Sequence, residues 1–314
     1  MNTGVATKKK KRRMTLEWRS TISLGFLTLP AIVWFIVFCY IPMFGIIIAF
    51  KDFDYAKGIF GSDWCGFDNF VYLFKSNDAF RILRNTILYN FSFIVIGTIA
   101  AIAMALMLDS IKSKAFIKFT QTTIFLPYFI SWVVVAFVTQ QMFALNNGAM
   151  NSLIEFFGGE KVLWYTNTKA WPIILIIANL WKQIGFNTIV YYGSILGIDS
   201  SLYEAARIDG ASGRQCITKI TLPLLKPTIV ILFIMSIGSI LRADFGLFYY
   251  LPNNQGPLYP VTDVIDTYIY RALKVSGDLT GSSAASFVQS VVGLILVLIT
   301  NTITKKLDPE NALF

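Results

Sequence analysis

GFLTLPAIVWFIVFCYIPMFGIIIAF, Gly25 to Phe50, runs without a single charged side chain. A helix needs about 20 predominantly apolar residues to cross the hydrocarbon core of a bilayer, and this run is longer than that. Five further apolar runs follow, at about Thr86–Leu108, Phe119–Leu145, Trp171–Leu196, Thr228–Tyr250 and Ala284–Thr304. Pro30, Pro42 and Pro127, inside or near these runs, suggest kinks that neighbouring helices can accommodate. Composition agrees. Of 314 residues, 55% are hydrophobic, 15% aromatic and only 14% charged, against about 25% charged in soluble domains. The expected fold class is an all-α integral membrane protein with six transmembrane helices. A transmembrane barrel would show short alternating segments instead.

The net charge is +9, and much of it lies in Lys8 to Lys11, Arg12, Arg13 and Arg19. A basic run can mark a nucleic-acid patch, but just before a long apolar span it marks that span's cytoplasmic end. The partner implied is membrane lipid, not nucleic acid. The apolar run after Thr21 is too long for a signal peptide and lacks a small-residue cleavage site. With the N-terminus inside, the inner segments hold 16 Lys and Arg residues and the outer loops nine, which favours both termini in the cytoplasm. Residues 1–20 then form a basic cytoplasmic segment, 21–304 a single transmembrane domain, and 305–314 a cytoplasmic tail. The outer loops Lys51–Arg84, Asn146–Ala170 and Leu251–Ser283 are long enough to carry structure or function of their own.

Cys39, Cys65 and Cys216 fall in the membrane, outside and inside on this topology, which excludes a disulfide framework. The chain has no histidine, so neither a zinc site nor a His-based triad is expected. No GxxxxGK[ST] phosphate loop is present. The chain is therefore expected to bind no cofactor and to take any nucleotide-driven work from a partner.

The loop at 200–226 is overbuilt for a connector: SLYEAARIDGASGRQCITKITLPLLKP, Ser201 to Pro227. Ser201 and Glu204 have capping-box spacing, which starts a helix at Ser201, and Gly210 suits the left-handed residue that closes it after Asp209. Ala205 and Ala206 leave one side of that helix bare. A second amphipathic segment follows from Ser212, with Ile217 and Ile220 at helical spacing. Pro223 is expected to end it, with Pro227 at the start of the next span. Read physically, the loop is either an interfacial hairpin or a docking element for a cytoplasmic partner.

The residues carry a resemblance. Glu204-Ala205-Ala206, then Gly210, then Ile220-Thr221-Leu222-Pro223 resembles the EAA loop of bacterial ABC importer permeases, and Asp209-Gly210-Ala211 is similar to its sugar-permease form. FCYIPMFGIIIAF at 38–50, Gly66–Phe70, Asn85-Thr86, WKQIG at 181–185, VIDTYIYR at 264–271 and DPENALF at 308–314 resemble the branch that takes up polysaccharides or complex oligosaccharides. Where members usually place an aromatic residue, this chain has Arg214-Gln215-Cys216-Ile217. The resemblance implies a type I importer transmembrane domain in a bacterial cytoplasmic membrane. Its loop would form coupling helices that dock on an ATPase subunit. The implied assembly adds a second permease, two ATPase subunits that bind ATP and magnesium, an extracellular solute-binding protein and an oligosaccharide cargo. Glu204 would cap its helix and touch the ATPase. Ala205, Ala206 and Gly210 would allow close approach, while Pro223 stiffens the exit.

Ionisable residues within spans are functional candidates. Lys182 lies near the middle of the fourth span, and Asn179, Gln183, Phe186 and Asn187 share a stripe with it. Such a stripe lines a wet cavity or bonds helices together. Arg242 and Asp244 lie two apart in the fifth span, point to different sides and need separate partners. Phe245 and Phe248 offer faces for sugar rings, while Tyr249 and Tyr250 also fit an interfacial belt. Gln140 and Gln141 fit either solute contact or helix-end solvation. The rival functions are an ion-coupled secondary sugar transporter, which would want acids at membrane depth, and an integral-membrane enzyme, which would want clustered acids or bases.

Overall fold

The computed structural model describes residue 25, residues 27–75 and residues 77–307. The basic segment at 1–20 and the DPENALF residues 308–314 lie outside the described residues. The chain runs through α1 (Leu27–Phe50), an antiparallel strand pair β1 (Lys51–Asp52) and β2 (Asp63–Trp64), α2 (Asp68–Lys75), α3 (Asn77–Ser110) and α4 (Lys114–Phe129). It continues through α5 (Trp132–Met142), α6 (Ala149–Phe156), α7 (Trp171–Leu196), α8 (Ser200–Ile208) and α9 (Gly213–Gly238). It ends with α10 (Phe245–Tyr250), α11 (Ile265–Lys274) and α12 (Leu279–Leu307). In the small hairpin, Lys51 pairs with Trp64 and Asp52 with Asp63.

Among the described residues, α1, α3, α7, α9 and α12 are each long and apolar enough to cross a membrane. The sixth expected span, Phe119–Leu145, is not one helix. It is the pair α4 and α5, bent by 92°. The bend has a local cause: Pro127 sits in the last turn of α4, Ile130 closes that turn onto its carbonyl at 3.2 Å, and the Ser131 hydroxyl accepts from Val134 N at 3.4 Å to start α5. A proline that ends one helix and a serine that caps the next turn the chain within two residues.

The fifth span also departs from expectation. Pro223 does not end the segment that begins at Ser212. Helix α9 runs through it, because a π turn at Ile217–Thr221 widens the helix just ahead of the proline and Leu222 N bonds Ile217 O. The same device precedes Pro42, where a π turn at Ile36–Tyr40 lets Ile41 N reach Ile36 O. Both prolines thus pass through helices that do not break. Instead α9 stops at Gly238, and residues 239–244 form an irregular crossing before the short α10. At the chain's end α12 continues to Leu307, so Lys305 and Lys306 occupy its last turn.

Helices α3 and α7 make the most extensive pairing. One core cluster joins Ala101, Ala105 and Leu108 of α3 to Tyr191, Tyr192 and Ile195 of α7 and Leu225 of α9. A second joins Tyr89, Trp132, Trp171, Leu175, Leu247, Phe248 and Val264, and a small third joins Ala49, Phe70 and Ala284. Helix α7 touches α4 at Gly185, where any side chain would collide with the Ile124 carbonyl and the Phe125 backbone. Replacing Gly185 by leucine is expected to cost about 3 kcal/mol or more and to lower the melting temperature of the purified chain in detergent. Gly193→Ala, at a position with open space around it, should leave the melt unchanged.

Candidate functional site

A cavity of about 410 Å³ lies between α3, α7 and the end of α9, lined by Asn90, Phe93, Ile94, Thr98, Asn179, Gln183, Asn187, Tyr191, Leu232, Ser236, Ser239 and Arg242. Asn179, Gln183 and Asn187 stand at four-residue steps on α7, so their amides form one stripe facing it. None of the three makes a side-chain hydrogen bond to another described residue. Groups that can donate and accept, half-buried and without intrachain partners, suit a solute rich in hydroxyls.

The cavity meets the crossing at 239–244. Irregular backbone at membrane depth is tolerated where protein satisfies it or where it lines a cavity, and both hold here. Asn90 donates its amide to Ile240 O at 2.7 Å and Arg242 O at 3.1 Å. Gln289 donates to Leu241 O at 2.6 Å, and Asp266 accepts from Ala243 N at 2.7 Å. Asp244 caps α10, accepting from Gly246 N at 2.9 Å and Leu247 N at 3.3 Å, and takes the Trp132 indole N–H at 2.6 Å.

Four residues expected along the solute path therefore lie elsewhere. Lys182 turns away from the cavity. Its ammonium donates to the carbonyls of Pro127 (3.3 Å), Tyr128 (3.1 Å) and Ile130, and sits 5.2 Å from the Trp132 ring centre. These carbonyls end α4, where a cation meets both the orphan acceptors and the negative end of the helix dipole. Asp244 is a helix cap. Phe248 is buried in the core against Tyr89. Phe245 stacks on Tyr249 at 4.8 Å and also packs on Tyr270. Asn179, Gln183, Asn187 and Arg242 do line the cavity, and Phe186 instead stacks on Tyr128.

At the opposite end of α7, the bracket forms with a different cap from the one expected. Asp199, not Ser201, caps α8, accepting from Ser201 N at 2.9 Å, and that bond holds the Asp199 carboxyl below the usual carboxylate range. Ser201 is inside the helix, and the capping box belongs to Ser212 and Gln215 at the start of α9. Gly210 has φ +81°, Gly210 N bonds Arg207 O, and Ala211 N bonds Ala206 O at 2.8 Å. This is a Schellman closure, and only glycine enters it without strain. The Tyr203 and Thr221 hydroxyls, 2.9 Å apart, tie α8 to α9. Glu204, Ala205, Asp209 and Pro223 are exposed; Ala206, Ala211, Ile220 and Leu222 are half-buried. Ile208 is 86% exposed at the end of α8, an apolar side chain with nothing over it. Ala206, Asp209, Gly210, Ala211 and Ile220 line a groove of about 240 Å³ between α8 and α9.

Residues 94–311 match the family described as binding-protein-dependent transport system inner membrane component. The chain belongs to that family. It is 36% identical, over 97% of its length and 94% of the relative's, to the polygalacturonan/rhamnogalacturonan transport system permease protein YteP of Bacillus subtilis. It is 34% identical to protein LplB of the same organism, with 94% of each covered. It also superposes on a chain from the crystal structure of a bacterial ABC transporter that imports the acidic polysaccharide alginate. The TM-score is 0.85 at 35% identity, covering 94% of this chain and 99% of that one. A second structure of the alginate transporter, with its pentasaccharide-bound periplasmic protein, gives a TM-score of 0.84 at 34% identity over 94% of this chain and 98% of that one. The chain is an ABC importer permease subunit, and its fold is that of an importer transmembrane domain.

Several residues that shape this permease do not stand out in its sequence. Buried Asp263 accepts from Arg271 at 2.5 Å and Arg81 at 3.4 Å, while Asn85 donates to the Asp263 carbonyl at 3.0 Å and Thr86 accepts from Ile265 N at 3.0 Å. The motif pieces Asn85-Thr86 and Val264–Arg271 are thus two halves of one clamp. Polar residues recurring beside apolar runs (Asn85, Asn90, Gln289) were the available signal. Lys182→Met leaves the α4 carbonyls without their donor. About 1–3 kcal/mol per buried unsatisfied group should appear as a marked drop in melting temperature, whereas Gln183→Ala, one residue on but facing the cavity, should melt as the parent does.

Proposed function

We propose that this permease forms one half of the path of an ATP-driven importer for an oligosaccharide or polysaccharide fragment. The observation that carries this is a single helix, α9, joining the two sites. Its first turn is capped inside the 200–226 bracket, and its far end contributes Ser236 to the cavity and leads into Ser239 and Arg242. The names of the similar proteins, which concern polygalacturonan, rhamnogalacturonan and alginate, support a saccharide cargo, as do the unpaired amides of α7. In this reading a second permease completes the cavity. An extracellular solute-binding protein delivers the cargo to the outer clamp side. Two ATPase subunits, which carry the ATP and magnesium, grip the bracket through Glu204, Ala205 and Ala206, with exposed Ile208 seated in their groove. Asp209, Gly210, Ala211, Ile220, Leu222 and Pro223 give the bracket its shape. Asn179, Gln183 and Asn187 bind sugar hydroxyls. The chain spans the bacterial cytoplasmic membrane with both termini inside, as its Lys and Arg distribution supports.

Gly210→Pro tests this reading. A proline cannot adopt φ +81°, so the α8 closure is lost while the membrane helices keep their contacts. Copurification of the ATPase subunits and solute-stimulated ATP hydrolysis should both fall below a tenth of the parent values. Normal uptake by this variant would overturn the docking role of the bracket.

A further inference from the structure

Arg242 sits on the irregular crossing, not on a regular helix, and its exposed side chain borders the 410 Å³ cavity. Its mount is rigid, because Asn90 holds the carbonyls on either side of Leu241 and Gln289 holds that of Leu241 itself. The other lining residues are amides, hydroxyls and apolar side chains, so the wall of this chain carries one formal positive charge and no negative one. Two carboxylates lie nearby, and each is committed elsewhere. Asp244 caps α10 and holds the Trp132 indole. Asp266, whose charge feels Arg242, is bonded to Ala243 N and Gln289. Among the described residues no carboxylate comes within ion-pair distance of the guanidinium.

A guanidinium stays charged at any physiological pH and pairs with carboxylate through two parallel hydrogen bonds. When a transport cavity closes around its cargo and sheds water, a charge left without a counter-charge is costly. A cargo bearing only hydroxyls leaves Arg242 in that state, whereas a uronate group resolves it. The other cation of this region, Lys182, is consumed by backbone carbonyls, so Arg242 alone on this wall is placed to read an anion. We propose that Arg242 recognises a carboxylate of the transported saccharide, which makes the cargo an acidic oligosaccharide containing uronate residues. This rests on the saccharide-importer reading above and narrows it.

The complete importer, with its companion permease, ATPase subunits and binding protein, is reconstituted in proteoliposomes. ATP-dependent uptake is measured for tetragalacturonate and for its methyl-esterified, uncharged counterpart, each at a concentration that saturates the binding protein. The parent is expected to take up the free acid about tenfold faster or more. Arg242→Gln should bring that ratio down by about tenfold, and Arg242→Lys, which keeps the charge, should retain most of it. Loss of both substrates in equal proportion in the assembled Gln variant overturns the proposal, and assigns Arg242 to a carboxylate of the companion subunit. An unchanged ratio overturns it too. Should the Gln variant not assemble, the parent's ratio and that of the Lys variant decide, and a parent ratio near one overturns it. Parent uptake of neither oligomer also overturns the uronate cargo, while the saccharide-importer reading is tested separately by Gly210→Pro.

Discussion

In a bilayer no water is at hand to satisfy a backbone N–H or C=O, and that constraint organises this permease. Two of its spans are interrupted, and each interruption strands main-chain groups that other helices must satisfy. At the bend between α4 and α5 a lysine from α7 gathers the loose carbonyls. At the crossing between α9 and α10, an asparagine from α3, a glutamine from α12 and an aspartate from α11 do the same. The two repairs touch each other, since Trp132 at the bend donates to Asp244 at the crossing. The polar residues that look most functional by depth are thus divided between holding the irregular backbone and facing the cavity.

That division explains what the sequence made legible. Apolar runs located the spans at Trp171–Leu196 to the residue, because an uninterrupted membrane helix is a one-dimensional property of composition. Gly210 and the start of the second segment at Ser212 were legible in the same way, through turn chemistry confined to a few neighbours, although the spacing points to a capping box at Ser201 and the box forms at Ser212. The breaks were not. Pro127 followed by Ser131 is a stop-then-start signal, but a proline in a membrane run more often marks a kink, and Pro223 shows how a π turn can cancel one. Lys182, Asp244 and Phe248 have the residue types of a solute path. What removes them from it is contact with residues 52 to 159 positions away, which no local pattern encodes. The stripe Asn179, Gln183 and Asn187 faces the cavity and makes no such contact.

The bracket on the other side shows a complementary economy. Its exposed features, Glu204, Ala205 and Ile208, are presented by an α8 that is short and fixed at three points: the Asp199 cap, the Gly210 closure and the Tyr203–Thr221 pair. A helix of nine residues is marginal alone, so these ties, and not its own propensity, hold the surface in shape.

The unbroken passage of α9 through Pro223 has a mechanical consequence. With 26 residues at about 1.5 Å each, it is one continuous helix of about 39 Å that carries both Pro223 and Pro227 and ends where regular helix ceases at Gly238. In the importer reading proposed above it would act as a lever whose free arm lies in the bracket and whose pivot lies at the crossing. A tilt of only about 5° about that pivot sweeps the bracket end through about 3 Å, while Ser236 next to the fulcrum hardly moves. Residues 239–244 beyond the fulcrum are pinned to α3, α11 and α12 by Asn90, Asp266 and Gln289, so they do not follow the helix. Motion imposed on the bracket would then reach the cavity as a change in the angle between α9 and the pinned crossing more than as a displacement.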